Sequence, residues 1–335
     1  MKKKSTIFNL IILAVVTLVL LFYMIFVDGW ENMVEALNKA DYVWLVAAGS
    51  MMILYWLTEM ISVYSIGKKL YAPLKFRHSV KTVMIGQLFN CITPFATGGQ
   101  PMQAYYMTTR GVPAGIALLS LLARFLVYQV ILTVYSVVAI FARLPDFTEN
   151  ISSIGYIVII GFIVNSAVVV ALVMVNFFPN FSKKATEFII NLGAKIRIIK
   201  NRDETLKKAN EQIDVFYNNV REIKKYVSSL VVMSLVTVVQ LTVYFLVPYF
   251  ICISLGIKIT VLDALFSSAF VHMVSSFVPL PGAAGGAEGG FYLFFNRYVP
   301  DSGVLATIIV LWRLMTFYMP IIFGAFFANR LRKMR

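Results

Sequence analysis

The chain is predicted to be an all-α polytopic membrane protein, with about six full transmembrane helices and two oppositely oriented re-entrant hairpins arranged as inverted repeats. Three observations lead there. First, 59% of the 335 residues are hydrophobic and the mean hydropathy is +0.80, more apolar surface than a soluble domain of this size can bury. Second, six apolar stretches (7–27, 43–66, 114–142, 151–178, 227–257 and 304–328) each have the length to cross a hydrocarbon core of about 30 Å as a helix. Third, two further apolar segments are interrupted by proline and glycine, at corresponding places in the two halves.

The stretch 7–27 follows Lys2, Lys3 and Lys4, as a signal peptide would. It is longer than a typical signal core and no small-residue cleavage pattern follows, so a retained first span is expected. Stretch 43–66 comes next, with Glu59 late in it. Segment 82–109 is broken by Thr93-Pro94-Phe95-Ala96-Thr97-Gly98-Gly99-Gln100-Pro101, with Asn90 and Gln103 on its flanks. Arg124 then stands inside 114–142, and 151–178 closes the first half.

Loop 179–226 interleaves apolar residues (Phe188, Ile189, Ile190, Ile196–Ile199, Leu206, Ile213, Val215 and Phe216) with lysines and arginines. This pattern reads as basic amphipathic helices at the membrane surface, attracted to anionic lipid. Span 227–257 carries Gln240 near its middle, expected to face a cavity together with Glu59. Segment 264–300 is broken by Pro279-Leu280-Pro281-Gly282-Ala283-Ala284-Gly285-Gly286-Ala287-Glu288-Gly289-Gly290, and span 304–328 contains Arg313.

Charge sets the orientation. With the N-terminus in the cytoplasm, 24 of the 30 Lys and Arg fall on that side: the N-terminus, 67–81, Arg110, 179–226 and the tail. Four (Lys39, Arg143, Lys258 and Arg297) fall outside, where Asp28, Glu31, Glu35, Asp41, Asp146 and Glu149 also lie. This bias puts both termini in the cytoplasm. Segment 82–109 then begins and ends inside, and 264–300 begins and ends outside. Each must dip in and return. Repeat one runs over about 42–142 and repeat two over about 227–328, within a single integral membrane domain spanning 1–335.

Irregular backbone at bilayer depth must be satisfied by protein or by water, so the hairpin tips are expected to line a cavity. Asn90, Thr93, Pro94, Gly98, Gly99, Gln100, Pro101 and Gln103 from one, and Pro279, Pro281, Gly282, Gly285, Gly286 and Glu288 from the other, are the candidates. Their backbone N–H groups are expected to meet an anion. The bland alternative is close helix packing by Gly282, Gly286 and Gly290. Arg124 and Arg313 are candidates for binding phosphate, because charge at this depth is costly and rarely idle. Glu288 and Glu59 are candidates for proton coupling. The structural alternatives are a Glu288 pair with Arg313 or Arg124, and a Glu59 pair with Lys68 or Lys69.

The net charge of +14 is distributed by topology, so nucleic acid is not an expected partner. Cys91 and Cys252 read as buried small hydrophobes, and His78 and His272 lack ligand-bearing neighbours. No metal or cofactor is expected. Neither a phosphate loop with its lysine nor a nucleophile elbow occurs, and no catalytic residue is assigned.

Asn90-x-x-Thr93-Pro94-x-x-x-Gly98-Gly99-x-Pro101, Arg124 in the next helix, and Pro279-x-Pro281-Gly282 with Glu288 and Arg313 resemble the flippase-like transmembrane region of the lysylphosphatidylglycerol synthase family. The resemblance covers nearly the whole chain. It implies a multi-pass protein of the bacterial cytoplasmic membrane that flips a phospholipid such as lysyl-phosphatidylglycerol, or a polyprenyl-phosphate-type lipid. The soluble transferase domain of full-length synthases is not expected, since the sequence given reaches seven residues past the last span. The alternatives are a phosphatidylglycerol lysyltransferase-type enzyme, or a membrane partner of a separate synthase in cationic-peptide resistance. Expected partners are membrane lipids, a second copy in a homodimer, and a separate synthase.

Overall fold

The structure is a computed structural model that describes residues 35, 38–148, 178–195, 201–276 and 278–332, with isolated positions between 159 and 174. The expected span 7–27, most of 151–178 and Ile196–Ile199 lie outside the described residues. Among the described residues the chain is helical, and the one extended pairing is a bridge between two prolines.

Twelve helices are described. The region expected to be repeat one holds α1 (Tyr42–Leu70), α2 (Phe76–Ile92), α3 (Gly99–Thr109) and α4 (Ala114–Thr148). The surface segment contributes α5 (Pro179–Lys195) and α6 (Arg202–Ile223). The region expected to be repeat two holds α7 (Val227–Phe245), α8 (Val247–Ser254), α9 (Val261–Ser275), α10 (Gly286–Phe295), α11 (Ser302–Arg313) and α12 (Met319–Arg332), with a π-helical turn at Leu314–Tyr318 between the last two. Asp41, Thr260 and Asp301 start α1, α9 and α11, their side chains accepting a backbone N–H of the first turn. Pro248 separates α7 from α8, because it has no N–H to offer the carbonyl one turn earlier.

Four of these units are long and apolar enough to span: Tyr42–Leu70, Ala114–Arg143, Val227–Ser254 and Ser302–Ala328, each 27 to 30 residues. At about 1.5 Å per residue they reach about 40–45 Å. Their outer faces are apolar. Val130, Val134, Val138 and Phe141 on α4, and Val227, Val231, Leu235 and Val238 on α7, are exposed at helical spacing, as lipid contact requires.

Both hairpins begin earlier than their apolar segments suggest, at Phe76 and Val261. The first arms start in polar residues (Arg77 and His78; Asp263) that hydropathy assigns to loops. Packing is reciprocal between the halves. α1 packs on α7, α2 on α12, and α9 on α4. Each hairpin's first arm thus lies against the last span of the other half. The main core lies at this junction, with Trp56, Phe245, Phe270, Phe291 and Trp312 among its buried members.

Candidate functional site: a cavity between the hairpin tips

The tips meet. Pro94 and Pro281 form an antiparallel bridge; proline has no N–H, so any donors come from flanking residues. Among the described residues, the three non-glycine residues with positive φ sit at these tips: Phe95 (51°), Ala96 (53°) and Ala283 (52°). Left-handed backbone at such residues is strained and tends to mark functional sites. All three line one cavity of about 480 Å³.

Both membrane arginines line that cavity, together with Glu59, Asn90, Gln100 and Gly282. Arg313 is held on several sides. Its Nη1 donates to the Gly282 carbonyl at 3.0 Å. Its Nε lies 2.7 Å from Glu288 Oε1, close enough for an ion pair although the N–H is not in line for a hydrogen bond. The guanidinium stands 5.1 Å from the Trp312 ring and 5.4 Å from that of Phe317. Its Nη2 is buried with no hydrogen-bond partner among the described residues. Glu288 is itself fixed, because its Oε2 accepts the N–H of Gly285, the residue that caps α10.

Arg124 is held more lightly. Its Nη2 is 3.2 Å from Glu59 Oε1, and its buried Nε has no partner among the described residues. Glu59, 1% exposed, also accepts from Gln87 Nε2 at 2.5 Å and Gln103 Nε2 at 3.4 Å. So Glu59 is engaged by Arg124 rather than by Lys68 or Lys69, and the Glu288 pair is with Arg313 rather than Arg124.

The remaining residues expected to line the cavity, Glu288, Pro94, Pro281 and Gly98 among them, are not part of its wall. Thr93 accepts the Gly98 N–H through its hydroxyl at 2.8 Å and closes the first tip. Gly99 packs so closely that a Cβ there would sit 1.9 Å from Asn90 Oδ1, and one on Gly286 would sit 2.1 Å from Val278 Cγ2. Close packing is therefore part of what these glycines do, whereas Gly290 makes ordinary contacts. Gln103 is buried, and Pro101, Pro279 and Gly285 are exposed. Gln240 is buried but is not among the lining residues.

Four of the tip N–H groups expected to face an anion turn inward instead. Ala96 and Thr97 donate to the carbonyls of Thr93 and Pro94, and Ala283 and Ala284 to those of Leu280 and Pro281. Tight turns satisfy these donors internally. The second tip instead presents a carbonyl, that of Gly282, which orients Arg313. Residues the sequence did not single out complete the wall: Tyr55, Tyr128, Tyr244, Gln87 and His272. Tyr55 with Glu59, and Arg124 with Tyr128, are four apart on one helix, a spacing that could have flagged the tyrosines.

A profile of the lysylphosphatidylglycerol synthase transmembrane region matches residues 9–324. The chain belongs to this family. A UPF0104 membrane protein of Archaeoglobus fulgidus is 25% identical over 304 residues, covering 88% of each chain. The family description is of a transmembrane region, in agreement with the multi-pass architecture. Within it, the two motif-bearing breaks correspond to the two tips that meet at the cavity, and the two arginines to its charged wall.

Proposed function

We propose that this member of the lysylphosphatidylglycerol synthase transmembrane-region family translocates a lipid with an anionic phosphate headgroup across the cytoplasmic membrane. Lysyl-phosphatidylglycerol and polyprenyl-phosphate-type lipids both fall in that class. One observation carries the reading: arginines from opposite repeats converge on a single cavity, each retaining a buried N–H without a partner. Guanidinium donors suit phosphate oxygens, and charge-assisted bonds of this kind contribute about 1.5–3 kcal/mol. The aromatic and aliphatic remainder of the wall suits the glycerol or isoprenoid portion next to the phosphate. Positive loops on the 179–226 side favour anionic lipid approaching from the cytoplasm. In this reading the cavity opens alternately to each leaflet, with the meeting tips as the barrier between them.

Vesicles reconstituted with the protein and a short-chain fluorescent phosphatidylglycerol test it. Arg124→Ala and Arg313→Ala should each slow translocation by about 10- to 100-fold, the equivalent of 1.5–3 kcal/mol. Arg→Lys keeps the charge without the planar fork and should retain part of the rate. Undiminished translocation by both alanine variants, at normal protein levels, sinks the proposal.

A further inference from the structure

Resting on the lipid-translocation reading above, we infer that binding of the phosphate at Arg124 makes Glu59 take up a proton, so that the anionic headgroup and a proton cross together. The inference comes from how differently the two ion pairs are built. Glu288 sits at the start of α10, and if Arg313 were drawn away it would keep the Gly285 N–H and the helix N-terminus. Arg313, locked by the Gly282 carbonyl and flanked by two rings, is built to stay in place.

Glu59 has no helix N-terminus behind it. It lies inside α1, its nearest helix-mate in the cavity is Tyr55, and α2 and α3 offer it only the neutral amides of Gln87 and Gln103. α4 contributes Arg124 and Tyr128, and α7 contributes Tyr244, whose ring packs 5.2 Å from that of Tyr55. Among the described residues, Arg124 is the cation paired with Glu59, its Nη2 3.2 Å from Oε1. A phosphodiester that takes over this guanidinium leaves a carboxylate without its counter-ion in a low-dielectric wall. An unpaired buried charge is disfavoured, and the group neutralises instead. The proton comes from water admitted with the headgroup, converting the carboxylate to the carboxylic acid with no other bond changed.

A second observation points the same way. Gln103 Oε1 is buried with no hydrogen-bond partner, on the side chain whose Nε2 already reaches Glu59. A carboxylate cannot satisfy that acceptor. A carboxylic acid can, by donating its O–H once the amide turns. The site therefore holds a receptor for the protonated form. Charge closes as well. The unloaded site pairs two arginines with two carboxylates; the loaded site pairs the same arginines with Glu288 and one phosphodiester. Both are neutral, which suits a group that crosses the midplane in either state.

The decisive measurement is calorimetric titration of the full-length protein in detergent with short-chain phosphatidylglycerol, in buffers of different ionisation enthalpy. The difference between buffers reads protons taken up per lipid bound. Wild type should take up about one. Glu59→Gln should take up none and bind the lipid more tightly, because no carboxylate competes for Arg124. Glu288→Gln should keep the uptake. Binding by wild type without proton uptake overturns the coupling but leaves the translocation reading intact. No binding at all overturns both. Uptake that persists in Glu59→Gln, or vanishes in Glu288→Gln, removes Glu59 from the role. The wild-type result alone decides the coupling if a variant fails to fold.

Discussion

Arg313 and Glu288 form the ion pair on which a structural and a functional role can be separated. Arg313→Ala removes a guanidinium that is 8% exposed and strands a carboxylate that is 12% exposed. Breaking a buried pair in this way costs about 3–5 kcal/mol. The Gly285 N–H still reaches Glu288, so the lower end, about 3 kcal/mol, is expected. Pairing Arg313→Met with Glu288→Gln removes the stranded charge, and a glutamine oxygen still accepts the Gly285 N–H. Most of the lost stability should return, since replacing both partners of a buried pair is often neutral. Lipid binding should stay weakened, because the Arg313 Nη2 donor is gone and Arg124 alone remains. Thermal unfolding in detergent, read beside phosphatidylglycerol binding on the same samples, gives both quantities. If the double variant regains binding together with stability, Arg313 is a structural latch and the anion site rests on Arg124 alone.

Two further outcomes follow from the same geometry. Cysteines at positions 94 and 281, with Cys91 and Cys252 replaced, should form a disulfide on mild oxidation. Bridged strand residues have Cα atoms about 4.5–5.5 Å apart, inside the range a disulfide spans. The cross-link should arrest translocation and reduction should restore it; free translocation by the cross-linked protein means the tips are not the barrier. Single cysteines at 75 and 205 should be silent to a membrane-impermeant thiol reagent in intact cells and react after permeabilisation. Labelling in intact cells would reverse the charge-derived orientation and the cytoplasmic placement of α5 and α6.

The primary structure by itself determined the environment and the order of parts. Spanning helices, the two broken segments and the arginine after each are legible because they depend on local quantities: run length, the absent N–H of proline, and the cost of charge among apolar residues. Two spans fall outside the described residues, and the start of each hairpin was less legible, since the first turns at Phe76 and Val261 hold polar residues that hydropathy assigns to loops. The pairings were not legible at all. Glu59 reads along the chain as an acid near Lys68 and Lys69, and only the fold carries Arg124, Gln87 and Gln103 to it from three other helices. The tips, read as donors of backbone N–H, turn those groups inward, because a tight turn offers nearer acceptors than a cavity does. That Arg313 is held more firmly than Arg124 is likewise a property of tertiary structure: a carbonyl, two rings and a helix N-terminus converge on Arg313 and have no counterpart at Arg124 among the described residues.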